Sequence, residues 1–92
     1  MPNDSPVPPA DFEALRLHLA RLRHEQGWSY NELSARSGVA RSALVYLENG
    51  QPNRNPPRPA TRGSIETWYK IARAFDVPLG DLLAPLYGPE GL

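Results

Sequence analysis

Residues 29–50, SYNELSARSGVARSALVYLENG, constrain the fold more than any other stretch, because they place two helix starts and two helix stops in close succession. Ser29 stands three residues before Glu32, the spacing at which a serine hydroxyl accepts from an N3 amide while the glutamate reaches back to the serine amide. A helix is expected to start there. Leu33 gives it one inward apolar group, and Ser34 is small enough for a second backbone to come close. Gly38 can take the positive φ that ends a helix in a sharp turn. Val39 then plugs the corner, and Leu44 and Leu47 follow at helical spacing until Gly50 supplies the second stop. Two short helices joined by a glycine turn make a helix-turn-helix unit.

The flanks read as further helices. Asp11 can cap a first helix in which Phe12, Leu15, Leu19 and Leu22 recur at spacings of three and four along one face. Arg23 falls roughly 20–40° from that face at about 100° per residue, so its guanidinium points to the interior edge and needs a partner. Gly27 ends this helix, and Trp28 is expected to cap the core. Downstream, Ser64 caps a fourth helix whose inner face is Ile65, Trp68, Ile71, Ala72 and Phe75, with Glu66 complementing its N-terminal dipole. Val77 and Pro78 turn the chain into a short last helix with Leu79, Leu82 and Leu83. Leu86 and Tyr87 follow, either as a dimer contact or as closure of the core.

Residues 15–83 resemble the Cro/repressor-type (XRE-like) helix-turn-helix domain. The resemblance is carried by Leu22, Arg23 and residues 27–29, then by Gly38 and Val39, then by Glu48, Asn49 and Gly50. It implies an all-α, five-helix λ-repressor-like domain that binds double-stranded DNA in a sequence-specific way as a transcriptional regulator, with residues 41–49 as the recognition helix. It also implies a structural salt bridge between Arg23 and Glu48, tying helix 1 to the recognition helix. Two positions depart from the family: Ala40 stands where a Ser or Thr usually caps, and Tyr30 where a Gln commonly binds phosphate. Residues 51–63, QPNRNPPRPATRG, are inserted where the family needs only a few residues.

In the recognition helix, the side chains pointing away from Val39, Leu44 and Leu47 are Arg41, Ser42, Val45 and Tyr46, with Ala40 and Ala43 at the rim. These four are the candidate base-contacting residues. Arg41 suits guanine O6 and N7, Ser42 is permissive, Val45 suits a thymine methyl, and Tyr46 can stack on sugar or donate to phosphate. Val45 and Tyr46 can also pack on another protein surface. Candidate DNA backbone contacts are Ser29, Tyr30, Asn49, Arg54, Arg58 and Arg62. At the second helix, the phosphate contact falls to the Tyr30 hydroxyl, the helix N-terminus, or neither. Arg54, Arg58 and Arg62 recur every four residues in an insert stiffened by four prolines, as a basic track for phosphate or as an ordinary solvated loop.

Charge becomes informative only once it is placed. The formal net charge is zero. Residues 16–62 nevertheless hold eight arginines against Glu25, Glu32 and Glu48, a net of +5, and the remainder carries −5. A basic face backed by an acidic one suits orientation on a polyanion.

The chain of 92 residues has room for one small domain with a marginal core, so a homodimer is expected to help stabilise it. Residues 1–10 carry four prolines and no Lys or Arg, and read as a disordered arm without a DNA role. Residues 11–87 read as the DNA-binding domain and residues 88–92 as a tail. With no cysteine, disulfides, thiolate metal sites and thiol nucleophiles are excluded. The chain has no long apolar run and no signal-peptide pattern, so a cytoplasmic protein without membrane contact is expected. His18 and His24 fall on different faces of helix 1, at surface or edge positions unsuited to a shared metal. No phosphate loop, nucleophile elbow or carboxylate pair is present, so neither an enzyme nor a cofactor is expected. The second reading of function is a protein-interaction adaptor or antitoxin component on the same fold, with Val45, Tyr46 and the insert facing a protein partner.

Overall fold

A computed structural model describes residues 7–50 and 62–88. Among these residues the chain is all-helical: α1 Phe12–Gln26, α2 Tyr30–Ser37, α3 Arg41–Asn49, α4 Ile65–Phe75 and α5 Leu79–Leu83, closed by a 3-10 turn at Ala84–Tyr87. This is the five-helix, all-α architecture read from the sequence. Residues 51–61 of the inserted loop, 1–6 of the arm and 89–92 of the tail lie outside the described residues.

The helix ends have local causes. Asp11 Oδ1 accepts from the Ala14 amide at 3.0 Å, Ser29 Oγ from Glu32 at 3.1 Å and Ser64 Oγ from Thr67 at 3.1 Å, each satisfying an orphan donor of a first turn. α3 starts without such a cap, because Ala40 has no oxygen to offer. Its backbone is nonetheless in the extended conformation a capping residue adopts, φ −57° and ψ 142°. Ala40→Ser is therefore expected to stabilise the domain by about 1 kcal/mol, raising Tm by about 5 °C in a thermal melt. At the other end of α4, Asp76 takes the left-handed conformation, φ 61°, where a glycine is the easier residue.

The core sits where the five helices converge, around Leu15, Leu19, Leu33, Leu44, Ile71 and Leu82, all fully buried. Val39 and Leu47 join it from the turn and the recognition helix, and Trp68 and Phe75 from α4. Trp28 stacks on Phe75 with ring centroids 5.1 Å apart, which closes the core below α2. The Arg36 guanidinium sits over the Trp28 ring at 4.5 Å. At the C-terminal end Leu86 packs on the core and its carbonyl accepts from the Asp11 amide at 2.9 Å, so the 3-10 turn closes the domain against the start of α1. Tyr87 stays exposed.

One core expectation is corrected. Ile65 was assigned to the inner face of α4 but is 68% exposed. It is the first residue of the helix, and side chains lean toward a helix N-terminus, so Ile65 projects past the edge of the core that Trp68 covers one turn later.

Candidate nucleic-acid interface

α3 is clamped on one side and open on the other. Leu44 and Leu47 are buried, whereas Ala40, Arg41, Ser42, Tyr46 and Asn49 are exposed. Val45 is half-buried, not open as its place on the outer face suggests. Ser42, Ala43 and Tyr46 form one wall of a shallow cleft whose other wall is Gly63 and Thr67 at the start of α4.

What holds this helix to the rest is a carboxylate that receives three donors. Arg23 Nε reaches Glu48 Oε2 at 2.8 Å and Arg23 Nη2 reaches Glu48 Oε1 at 2.7 Å, a fork-on-fork pair. The Tyr30 hydroxyl donates to the same Oε1 at 2.8 Å. Arg23 Nη1 donates to the Trp28 carbonyl at 2.9 Å, and Nη2 also lies 3.1 Å from His24 Nε2. The two charged side chains are only 11% and 7% exposed. The hydrogen bond to Glu48 holds the Arg23 pKa above the usual arginine value against the opposing effect of burial. One ion pair thus joins α1, the start of α2 and the end of α3.

Tyr30 was a candidate for the DNA backbone, but its hydroxyl proton is directed inward to Glu48, so it is not free to donate to a phosphate. Two guanidinium groups lie near its ring, Arg23 at 4.1 Å and Arg41 at 5.8 Å from the centroid. Burial, then the hydrogen bond to Glu48, raises its pKa above the usual tyrosine value of 10.0. The folded state therefore holds this proton more tightly than the unfolded chain. The associated stability is fully present below pH about 10 and is lost as pH rises through the raised folded value. An absorbance titration of the phenols is expected to show one late-ionising tyrosine that Tyr30→Phe removes.

The other backbone candidates are dispersed. Ser29 Oγ accepts from Glu32, and the hydroxyl keeps its proton at an exposed helix start. Asn49 Nδ2 donates to the Val45 carbonyl at 2.9 Å, leaving its second N–H and its oxygen at the exposed end of α3. The Arg62 guanidinium lies over the Phe12 ring at 4.5 Å, at the start of α1. Arg54 and Arg58 lie outside the described residues. Sequence reasoning missed Arg16, whose side chain crosses the end of α3: a Cβ added to Gly50 would lie 2.5 Å from its Nε. The positive φ of 63° at Gly50 marks that turn, but nothing local to it points to a residue on α1. A cation at a helix C-terminus also complements the dipole there.

Two short helices meeting at a glycine corner, the second with an apolar side locked to the core and a polar side open to solvent, define a helix-turn-helix DNA-binding domain. The chain belongs to the helix-turn-helix domain family, which it matches over residues 14–86.

It is 37% identical over 68 residues to an uncharacterized HTH-type transcriptional regulator, y4dJ, of Sinorhizobium fredii, covering 74% of this chain and 77% of that one. A second relative, an uncharacterized HTH-type transcriptional regulator of Archaeoglobus fulgidus, is 32% identical over 68 residues, covering 74% and 84%. Among solved structures, the SinR protein/SinI protein complex matches with a TM-score of 0.59 and 32% identity, over 75% of this chain and 59% of that one. This chain thus spans under two thirds of that structure's chain. A hypothetical transcription factor, NHTF, from Neisseria shares the fold with a TM-score of 0.60 at 24% identity, over 87% and 86% of the two chains.

Proposed function

We propose that this chain reads a specific double-stranded DNA site by laying α3 in the major groove, with Arg41, Ser42, Val45 and Tyr46 against base edges. The observation that carries this reading is the open polar side of α3, held at a set angle by the Arg23–Glu48 pair. The broader function rests on the family: the chain is a DNA-binding transcriptional regulator and not an enzyme. Among the described residues there is no group of acidic, histidine or cysteine side chains that holds a metal, and no helix long and apolar enough to cross a membrane. We place its action in the cytoplasm.

Ser29 and Asn49, at two exposed helix ends, are the proposed phosphate contacts beside α3, and Arg54, Arg58 and Arg62 add positive charge that follows the backbone. Tyr30, its hydroxyl proton given to Glu48, braces the end of α3 beside these contacts. The proposed assembly is a homodimer on a near-palindromic site, with half-sites about 34 Å apart. Arg41→Ala is expected to remove about 1–3 kcal/mol of discrimination at one base pair. Binding constants on single-substitution sites check it, and equal weakening on every sequence would sink the base-reading role.

The adaptor or antitoxin reading has one observation in its favour. Ile65 and Tyr69 lie one turn apart on the outer side of α4, both exposed.

Selection of bound sites from a random duplex pool, followed by titration at several salt concentrations, separates the two. A palindromic consensus with a steep salt dependence supports the dimeric regulator. Absence of enrichment, with weak salt-sensitive binding alone, overturns it in favour of the adaptor.

A further inference from the structure

We propose that Tyr30 is a specificity-determining positioning residue, whose ring holds the Arg41 guanidinium in the orientation that reads its base. The inference rests on the base-reading role proposed for Arg41 and adds the device that presets it.

Arg41 is the first residue of α3 and is exposed, with no carboxylate pairing among the ion pairs of the described residues. A long side chain so placed samples many rotamers, and each must be given up when it docks on a base pair. Among the described residues, the aromatic ring set against its guanidinium is that of Tyr30, 5.8 Å from the centroid. That ring is itself immobilised. Its hydroxyl is tied to Glu48 Oε1 at 2.8 Å, and Arg23 sits 4.1 Å from its centroid. Donation of the phenol proton to a carboxylate leaves the ring richer in electrons, which strengthens its attraction for a cation. Arg23, the nearer cation, is already neutralised by Glu48 through two hydrogen bonds. Arg41 is the cation left with its charge free for DNA. The hydroxyl and the ring of Tyr30 therefore have separable duties: the hydroxyl joins α2 to the end of α3, and the ring orients the start of α3.

That separation makes the proposal testable against a merely structural role. On the selected site and its single-base variants, Kd ratios are measured for wild type, Arg41→Ala, Tyr30→Phe, Tyr30→Leu and the double variant Arg41→Ala/Tyr30→Leu, with a thermal melt of each. Tyr30→Phe keeps the ring but loses the tether and electron donation of its hydroxyl, so discrimination is expected to fall by less than in Tyr30→Leu while Tm falls. Tyr30→Leu deletes the ring and is expected to lower discrimination about two- to fivefold, at the same base pair that Arg41→Ala affects and at no other. In the double variant no loss beyond that of Arg41→Ala is expected. Tyr30→Gln, which retains an N–H donor for Glu48 without the ring, gives the same comparison should Tyr30→Leu fail to fold.

Unchanged discrimination without the ring, uniform weakening on all sequences, or an additional loss in the double variant overturns the positioning role while leaving Arg41 as a base reader. Full discrimination retained by Arg41→Ala overturns both.

Discussion

Replacing Glu48 by alanine is expected to destabilise the domain by about 3–5 kcal/mol, because it strands a buried guanidinium whose carboxylate has gone. Arg23 is 9% exposed and spends Nε and Nη2 on Glu48. After the substitution only the Trp28 carbonyl and the His24 nitrogen remain within hydrogen-bond reach. The Tyr30 hydroxyl loses its acceptor as well. A small domain has a total stability near the lower end of about 5–15 kcal/mol, so the variant is expected to be largely unfolded at 37 °C. Denaturant titration of wild type and Glu48→Ala measures this. The reverse experiment separates the value of the pair from the cost of breaking it. With Arg23→Met added to Glu48→Leu, both charges leave the interior together, and most of the lost stability is expected to return. If the double variant is as unstable as Glu48→Ala, the pair contributes net stability and not orientation alone.

Trp68→Ala is expected to cost about 3–5 kcal/mol through the cavity it opens between α3 and α4. The indole is 4% exposed, and its Nε1 donates to the Arg62 carbonyl at 2.8 Å. A Cβ added to Gly63 would meet Trp68 Nε1 at 2.8 Å and Leu47 Cδ2 at 2.9 Å, so backbone, indole and recognition helix meet at one point. The indole therefore fixes where the chain returns to the core beside α3. Trp68→Phe keeps most of the apolar contact but leaves the Arg62 carbonyl without its donor. Its cost is expected to be smaller, about 1–3 kcal/mol. Chemical denaturation ranks the two variants. Faster tryptic cleavage after Arg62 in Trp68→Phe than in wild type reports the freed backbone. Equal cleavage rates would mean that the indole hydrogen bond does not restrain that segment.

The helix pattern was legible because its causes are local. Ser29, Asp11 and Ser64 each lie three residues before the amide they cap, and Gly27, Gly38 and Gly50 sit where each helix must turn off with positive φ. Spacing alone also separated the buried Leu44 and Leu47 from the exposed Arg41, Ser42 and Tyr46. Ile65 shows the limit of that reasoning: it has the right spacing to Trp68, but the core ends before it. Tyr30 shows another limit. Its place at a helix start suggests an outward contact, and only the packing of α2 on α3 brings Glu48 within 2.8 Å of its hydroxyl.

By itself the sequence determined where the five helices run, which faces are apolar, and that a buried-edge arginine on α1 required a partner. Each of these follows from geometry within a turn or two of helix, where 3.6-residue periodicity and capping chemistry suffice. The tertiary structure alone decided which groups meet around Glu48, that Arg62 lies on Phe12, and that Arg16 crosses Gly50. Those contacts join residues 18 to 50 positions apart. Their distances are set by how the five helices pack around a shared core, a quantity that no local pattern encodes.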